Sequence, residues 1–229
     1  MNNDVAIIMC TWKRINKLQK TINLLKNQTY KNFDFYIWNN SNNIKNIIDK
    51  IIIEEKKNIN IDVKHSQLNV GGFGRFLFAK EIHDKYKSII FIDDDQIFNK
   101  EMVDVFIKSY KPKTICSWYS FKLKNNYWDR FRVGDKVEAD YCGTGGMIVD
   151  SDLFSHDLIY EIPEKYKFVE DLWLSFIAKE IYGWKLYGLD VNIKIEVDGK
   201  DQYSKLRNLK NEFYSYLLQN KNNLKKDYL

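Results

Sequence analysis

Short apolar runs alternate with stretches of helical period over the first 118 residues. Residues 5–10 form a continuous apolar run of strand length, the pattern of a strand buried on both faces. It ends in the polar group Thr11-Trp12-Lys13-Arg14, after which Ile15, Leu18, Ile22 and Leu25 recur at helical spacing. A second strand is predicted over 33–38, stopped by the turn signal Asn39-Asn40-Ser41-Asn42-Asn43. Residues 44–57 have helical period and 59–64 read as the third strand. Asn69-Val70-Gly71-Gly72-Phe73-Gly74-Arg75 is a glycine-rich turn that opens a helix running to about Tyr86. The fourth strand, 88–92, leads directly into Asp93-Asp94-Asp95. A helix over about 100–110 and a strand over 114–118 follow.

Alternating strands and helices predict an α/β fold, a mainly parallel central sheet flanked by helices. In such sheets ligands bind beyond the carboxyl ends of the strands. Three polar clusters, Thr11–Arg14, Asn39–Asn43 and Asp93–Asp95, fall at those ends. The remainder is less regular. Residues 120–140, rich in aromatic and charged side chains, suggest a hairpin. Gly143-Thr144-Gly145-Gly146 precedes the strand Met147-Ile148-Val149, 170–182 reads as a helix, and 184–189 and 192–197 read as short strands. A last helix, about 201–220, carries Leu206, Leu209, Phe213 and Leu217 as a stripe expected to pack on the domain.

Composition narrows the class. The chain has 229 residues, of which 45% are hydrophobic, enough for a sizeable core. Its two prolines lie in no Gly/Ser-rich linker and no repeat is visible, so one domain over 1–229 is expected. No apolar run approaches the ~18 residues of a membrane span, and Met1-Asn2-Asn3-Asp4 does not resemble a secretory leader. Three cysteines, Cys10, Cys116 and Cys142, are odd in number and lack zinc-site spacing, which fits reduced thiols and a cytoplasmic protein. A net charge of +5 favours anionic ligands without demanding nucleic acid, because basic and acidic residues are interspersed. Lys221, Lys225 and Lys226 make a basic tail, either a solvated helix end or a peripheral contact with an anionic membrane.

Three clusters could carry chemistry. Asp93-Asp94-Asp95 after a buried strand calls for positive charge, and Mg²⁺ or Mn²⁺ commonly bridges carboxylates to substrate phosphates. A solvated acidic loop or a helix N-cap before Gln96 is the alternative. Glu170-Asp171 opens a helix, so it either serves the helix dipole or deprotonates an acceptor hydroxyl, with burial near Trp173 and Phe168 raising its pKa. The glycine turn before Arg75 could cradle a phosphate at a helix N-terminus, with Arg75 adding charge, or be a structural turn. It is neither a Walker loop nor a dinucleotide fingerprint. His65, His83 and His156 are scattered without metal-pair spacing, and neither a Ser-His-Asp nor a Cys-His set has sequence support. Trp118, Tyr119, Tyr127 and Trp128 could stack on a sugar or pack a core.

Taken in order, these pieces resemble the family 2 glycosyltransferases of the GT-A fold. Residues 7–14, Ile-Ile-Met-Cys-Thr-Trp-Lys-Arg, look like the family's first strand and its Thr-aromatic-X-Arg end. Residues 24–33, Leu-Leu-Lys-Asn-Gln-Thr-Tyr-Lys-Asn-Phe, are similar to its Leu-X-X-Gln-Thr-Tyr-X-Asn-Phe segment. Asn39-Asn40-Ser41 stands where the family usually has Asp-Asp-Gly or Asp-Asn-Gly. Asn69–Arg75 looks like its Asn-X-Gly-Gly segment, Asp93-Asp94-Asp95 matches Asp-X-Asp, Gly145-Gly146 resembles the acceptor-side glycine turn, and Glu170-Asp171 the Glu-Asp pair. The resemblance covers roughly residues 4–190.

The resemblance implies a nucleotide-diphosphate sugar donor, UDP-sugars favoured, with a donor-binding half over about 1–118, an acceptor half over about 119–200 and a C-terminal helix over 201–229. Thr11, Trp12, Arg14, Asn39, Asn69, Gly72, Arg75, Asp93 and Asp94 would contact the donor. Gly145, Gly146, Glu170 and Trp173 would line the acceptor side. Asp93 and Asp95 would hold Mn²⁺ or Mg²⁺. The family often adds a later histidine to the metal; none follows His156 here, and Asp198 or Glu196 would replace it, unless Asp95 and the diphosphate hold the metal alone. Asp171 would be the general base of an inverting transfer to a glycan, lipid-linked or protein acceptor. Two other readings compete: a catalytically silent nucleotide-sugar or carbohydrate-binding module, and a sugar nucleotidyltransferase. The nucleotidyltransferase reading lacks the glycine run expected straight after the first strand.

Overall fold

A computed structural model of the chain describes residues 4–197 and 205–228. The apolar runs become strands and the periodic stretches helices. The first part holds β1 (Val5–Thr11), α1 (Ile15–Lys26), β2 (Phe33–Asn39), α2 (Lys45–Glu55), β3 (Ile61–His65), α3 (Gly74–Ile82), β4 (Ser88–Asp93), β5 (Gln96–Phe98), α4 (Met102–Ser109) and β6 (Thr114–Ser117). The second holds β7 (Ser120–Leu123), β8 (Arg130–Arg132), β9 (Tyr141–Cys142), β10 (Met147–Asp150), α5 (Glu170–Phe176), β11 (Lys185–Gly188), β12 (Ile193–Ile195) and α6 (Arg207–Tyr228).

Seven strands form a central sheet in the order β11-β6-β10-β4-β1-β2-β3. β1 pairs in parallel with both β2 and β4, β2 with β3, and β6 with β11; β10 alone runs antiparallel to its neighbours β4 and β6. The fold is therefore α/β with a mostly parallel sheet, as the strand–helix alternation implied. Side chains alternate faces along a strand, and β1 shows it: Val5, Ile7 and Met9 join the apolar cluster under α1, α2 and α4, whereas Ala6 and Ile8 join the cluster under α3, α5 and α6.

Several elements differ from the sequence reading. Asp93-Asp94-Asp95 is followed by a strand rather than a helix: β5 pairs antiparallel with β12, and the Gln96 side chain accepts from the Asp93 amide (3.0 Å). The helix expected to reach Tyr86 ends at Ile82 and continues as a tight turn, His83–Lys85. The helix expected over 170–182 is α only to Phe176. It then widens into a π turn, Ile177–Ile181, in which the Tyr182 amide bonds to the Ile177 carbonyl (3.1 Å). The hairpin expected over 120–140 exists as β7–β8, extended by β9 to three strands. α6 runs from Arg207 to Tyr228, beyond the expected end. Among the described residues no helix is long and apolar enough to cross a membrane.

Candidate active site

The strand order β4-β1-β2 sets the three polar clusters side by side, with Cys10 opposite Asp93 and Thr11 opposite Asn39. A cleft of about 570 Å³ opens at these carboxyl ends, between the β1 and β4 termini, the glycine turns, and α5 and α6. Its volume is in the range of small-molecule sites.

Asp93, Asp94 and Asp95 all line the cleft. They meet two arginines. Arg14 Nη1 reaches Asp94 Oδ1 (2.9 Å) and Asp95 Oδ2 (3.2 Å), and the Thr11 hydroxyl donates to Asp94 Oδ2 (3.1 Å). Arg75 Nη2 donates to Asp93 Oδ1 (2.8 Å). The two guanidiniums partly neutralise the three carboxylates, and Lys17 acts on Asp95 as well. Burial, only partly offset by Arg14, pushes the Asp94 carboxyl up. Burial and then Asp93 push Asp95 up to about 6. Trp12 also lines the cleft, with the Lys13 ammonium 3.8 Å above its ring.

The glycine turn forms the next wall. Asn69 Oδ1 accepts from the Gly71 amide (2.9 Å), which folds the turn back on itself, and Asn40 bonds across to it through the Val70 amide (3.0 Å) and the Gly71 carbonyl (2.9 Å). A methyl group on Gly72 would sit 1.7 Å from Glu170 Oε1, so the turn can approach α5 only with glycine there. Arg75 is 4% exposed, and its Nε and Nη1 have no hydrogen-bond partner among the described residues. Burial alone would lower its pKa; the ion pair with Asp93 outweighs that and raises it. The fold thus holds a charged guanidinium beside the cleft, a group suited to an anionic ligand.

Glu170 and Asp171 begin α5 on the far wall. Glu170 is buried, and burial first, then the charge of Asp171, push its carboxyl up to about 7, with Arg75 pulling the other way. Asp171 Oδ1 accepts from the Leu172 amide (2.9 Å). Its Oδ2 takes the Tyr141 hydroxyl in a short hydrogen bond and faces Lys210 Nζ at 3.6 Å. Gly145 lines the cleft with its α-carbon pressed on Asp93: a methyl there would lie 2.1 Å from Asp93 Oδ2.

Three expected site residues lie elsewhere. Asn39 is fully buried, and its amide is used internally: Nδ2 bonds to the Ser41 carbonyl (2.8 Å) and His65 Nδ1 (2.9 Å), and Oδ1 accepts from the Ser41 amide (3.0 Å). Trp173 is 1% exposed in the core, its indole donating to the Ile159 carbonyl (3.1 Å). Gly146 sits behind the cleft, bonded through its backbone to Trp118 (2.8 Å) and Phe91 (3.0 Å). Asp198 lies outside the described residues. Glu196, the other candidate for a third metal ligand, is paired with Lys20 (2.7 Å) and Lys17 (3.5 Å) on α1. Of the aromatic residues singled out, Trp118 and Tyr119 line the cleft and Tyr127 is core. Sequence reasoning missed Tyr141 and Lys210, both in the lining. Lys210 left one signal: with Leu206, Phe213 and Leu217 it falls on a single helical stripe, a charge inside an apolar face.

No group of three His, Cys, Asp or Glu among the described residues would hold a metal alone. The donor set still suits a hard divalent cation, because Asp93 and Asp95 offer carboxylate oxygens at the cleft, and Mg²⁺-type sites commonly take one or two carboxylates with substrate phosphates completing the shell.

Comparison with known proteins bears on the fold and the family. S. aureus TarS superposes with a TM-score of 0.60 at 19% identity, over 90% of this chain and 39% of that one. Its 1–349 fragment in complex with UDP-GlcNAc gives 0.63 at 16%, over 88% and 60%. The mannosyltransferase PcManGT from Pyrobaculum calidifontis, in complex with GDP-Man and Mn²⁺, gives 0.70 at 11%, over 93% and 63%. The chain thus spans less than two thirds of the length of these structures, and the likeness is one of fold. A search of curated protein sequences gave no match. The sequence profile described as Glycosyl transferase family 2 matches residues 6–162, well over half of the chain, from β1 through the acidic rim and the β10 turn. The chain belongs to glycosyl transferase family 2.

Proposed function

We propose that the chain moves a sugar from a nucleotide-diphosphate sugar to an acceptor hydroxyl with inversion at the anomeric carbon. The observation that carries this reading is a single cleft lined together by the Arg75 guanidinium, the acidic rim Asp93–Asp95 and the Asp171 carboxylate. The donor diphosphate lies against Arg75 at the cleft wall, with the Asn69–Gly72 turn beneath. Asp171 accepts the proton of the acceptor hydroxyl. The acceptor oxygen then bonds to the anomeric carbon as the carbon–diphosphate bond breaks, and the electron pair leaves with the nucleoside diphosphate, whose charge Arg75 balances. Asp93 and Asp95 would hold Mn²⁺ or Mg²⁺, which supplies Lewis-acid neutralisation of the leaving diphosphate. Trp118 and Tyr119 offer ring faces to the acceptor sugar. UDP-sugars come first among donors, since one solved neighbour carries UDP-GlcNAc; another carries GDP-Man, so both nucleotides belong in the test. The reaction is assigned to the cytoplasm, with the acceptor half over about 119–200.

The experiment is a panel of nucleotide sugars, with and without Mn²⁺, on the wild type and Asp171→Asn. Release of one nucleoside diphosphate that needs Mn²⁺ and falls at least about 100-fold in the variant supports the reading. Donor binding without turnover over a broad acceptor set would make the chain a binding module, and neither binding nor turnover would overturn the assignment.

A further inference from the structure

Lys210 is 6% exposed yet lies at the cleft, delivered there by α6. Burying an ammonium is costly unless it is paired. Its partners include the Tyr127 hydroxyl (3.3 Å) and Asp171 Oδ2 (3.6 Å), and the Tyr127 ring lies 5.4 Å away. The same Oδ2 accepts from Tyr141, and Tyr141 is fixed beside α5 because its neighbour Cys142 bonds through both backbone groups to the Ser175 hydroxyl (3.0 and 3.1 Å). One carboxylate oxygen is thus held from two sides by two different elements, β9 and α6. The other, Oδ1, carries the Leu172 amide and retains a lone pair.

We propose that Lys210 is a positioning residue for Asp171: with Tyr141 it clamps Oδ2, fixes the carboxylate plane, and leaves Oδ1 to take the acceptor proton. This rests on the transferase reading above, in which Asp171 is the base. The clamp also answers an electrostatic problem. Glu170 and Asp171 are adjacent carboxyls at one buried helix end; among the described residues Lys210 and Arg75 are the cations acting on them, and Tyr141, Tyr127 and the Cys10 thiol are the other titratable groups facing the pair, with Arg130 acting on Tyr127. Burial works against the Lys210 charge, but Asp171 and then Tyr127 outweigh it, so its pKa is raised and it stays an ammonium. Burial, then the charge of Asp171, pushes the Glu170 carboxyl up to about 7, and Lys210 contacts Asp171 directly. The clamp therefore sets a positive charge against the carboxylate that serves as the base in this reading.

The test is the pH profile of kcat/KM with the donor and acceptor found above, for the wild type, Lys210→Met, Lys210→Arg and Asp171→Asn. The base must be ionised, so activity falls as pH drops through the apparent pKa of the pair. Removing a neighbouring cation raises that pKa, so the acid limb of Lys210→Met moves to higher pH by about one unit. Its kcat falls by about 10–100-fold with donor KM within about threefold, and Lys210→Arg restores the limb. A merely structural lysine would lower the active fraction and leave the limb in place. An unshifted limb in Lys210→Met while Asp171→Asn is inactive overturns the clamp and leaves the base assignment standing. Wild-type turnover in Asp171→Asn overturns the base assignment itself. If Lys210→Met does not fold, Tyr127→Phe carries the test, since it removes only the hydroxyl that holds the ammonium. An upward limb shift supports the clamp, and a wild-type profile overturns it.

Discussion

Glu170 is the residue whose titration the fold disturbs in the most testable way. It is buried against the Gly72 turn, and its carboxyl is pushed from the ordinary carboxylate range up to about 7 by burial and by Asp171. The folded protein therefore binds a proton at Glu170 over a range in which the unfolded chain has released it. Stability from this group is present at acidic pH and is lost as pH rises from about 4.5 to about 7. Asp94 and Asp95 are raised as well and add the same sign, so only the difference between proteins isolates Glu170. Glu170→Gln should show a flatter fall in melting temperature between pH 5 and pH 8 than the wild type. Parallel curves for the two proteins would mean that Glu170 is ionised in the fold throughout.

At the scale of elements, what could be read from the sequence was chemistry held in consecutive residues. Asp93-Asp94-Asp95 and Glu170-Asp171 announce themselves; the end of β4 delivers the first to the sheet's carboxyl rim, as parallel sheets do generally, and the start of α5 presents the second to the same cleft. What could not be read depended on packing. Trp173 looked like a cleft residue because it adjoins Asp171, but two residues on a helix turn through about 200°, which aims it into the core. Asn39 sits at a strand end as expected, yet the bend into Ser41 and the neighbouring His65 consume its amide. The antiparallel entry of β10 and the π turn after Phe176 leave the apolar pattern unchanged, so periodicity does not reveal them. Tyr141 meets Asp171 because β9 is bonded to α5 through Cys142 and Ser175, and Lys210 meets it because α6 docks beside α5. That docking is made by Phe213, fully buried and stacked on Tyr166 with ring centres 4.1 Å apart. Phe213→Ala should cost about 3–5 kcal/mol by leaving a cavity beneath α6. Urea unfolding measures it, and a loss below about 1 kcal/mol would mean that α6 holds its place without this contact.

Across the whole molecule the cleft draws on both faces of the sheet. Each central strand sends alternate side chains into two apolar clusters, one under α1, α2 and α4 and one under α3, α5 and α6. Stripping either cluster would expose the same strands from the other side, so the faces should unfold together. The cleft bridges them: Arg14, beside α1, meets the acidic rim from one side, while Arg75 on α3 and Asp171 on α5 approach from the other. A ligand in that cleft binds only when both faces are in place, and should stabilise a single transition. UDP with Mn²⁺ at about 100 times its dissociation constant would add about 2.7 kcal/mol. For a chain of this size that is a rise in Tm of about 5–10 °C. Asp171→Asn should show the same rise if, as proposed, its carboxylate serves the acceptor and not the donor. Asp95→Asn should lose the part of the rise that depends on Mn²⁺. Differential scanning calorimetry separates these cases. A second transition left unmoved by UDP would mean that the clusters melt independently, and an unchanged Mn²⁺ response in Asp95→Asn would remove that carboxylate from the metal site.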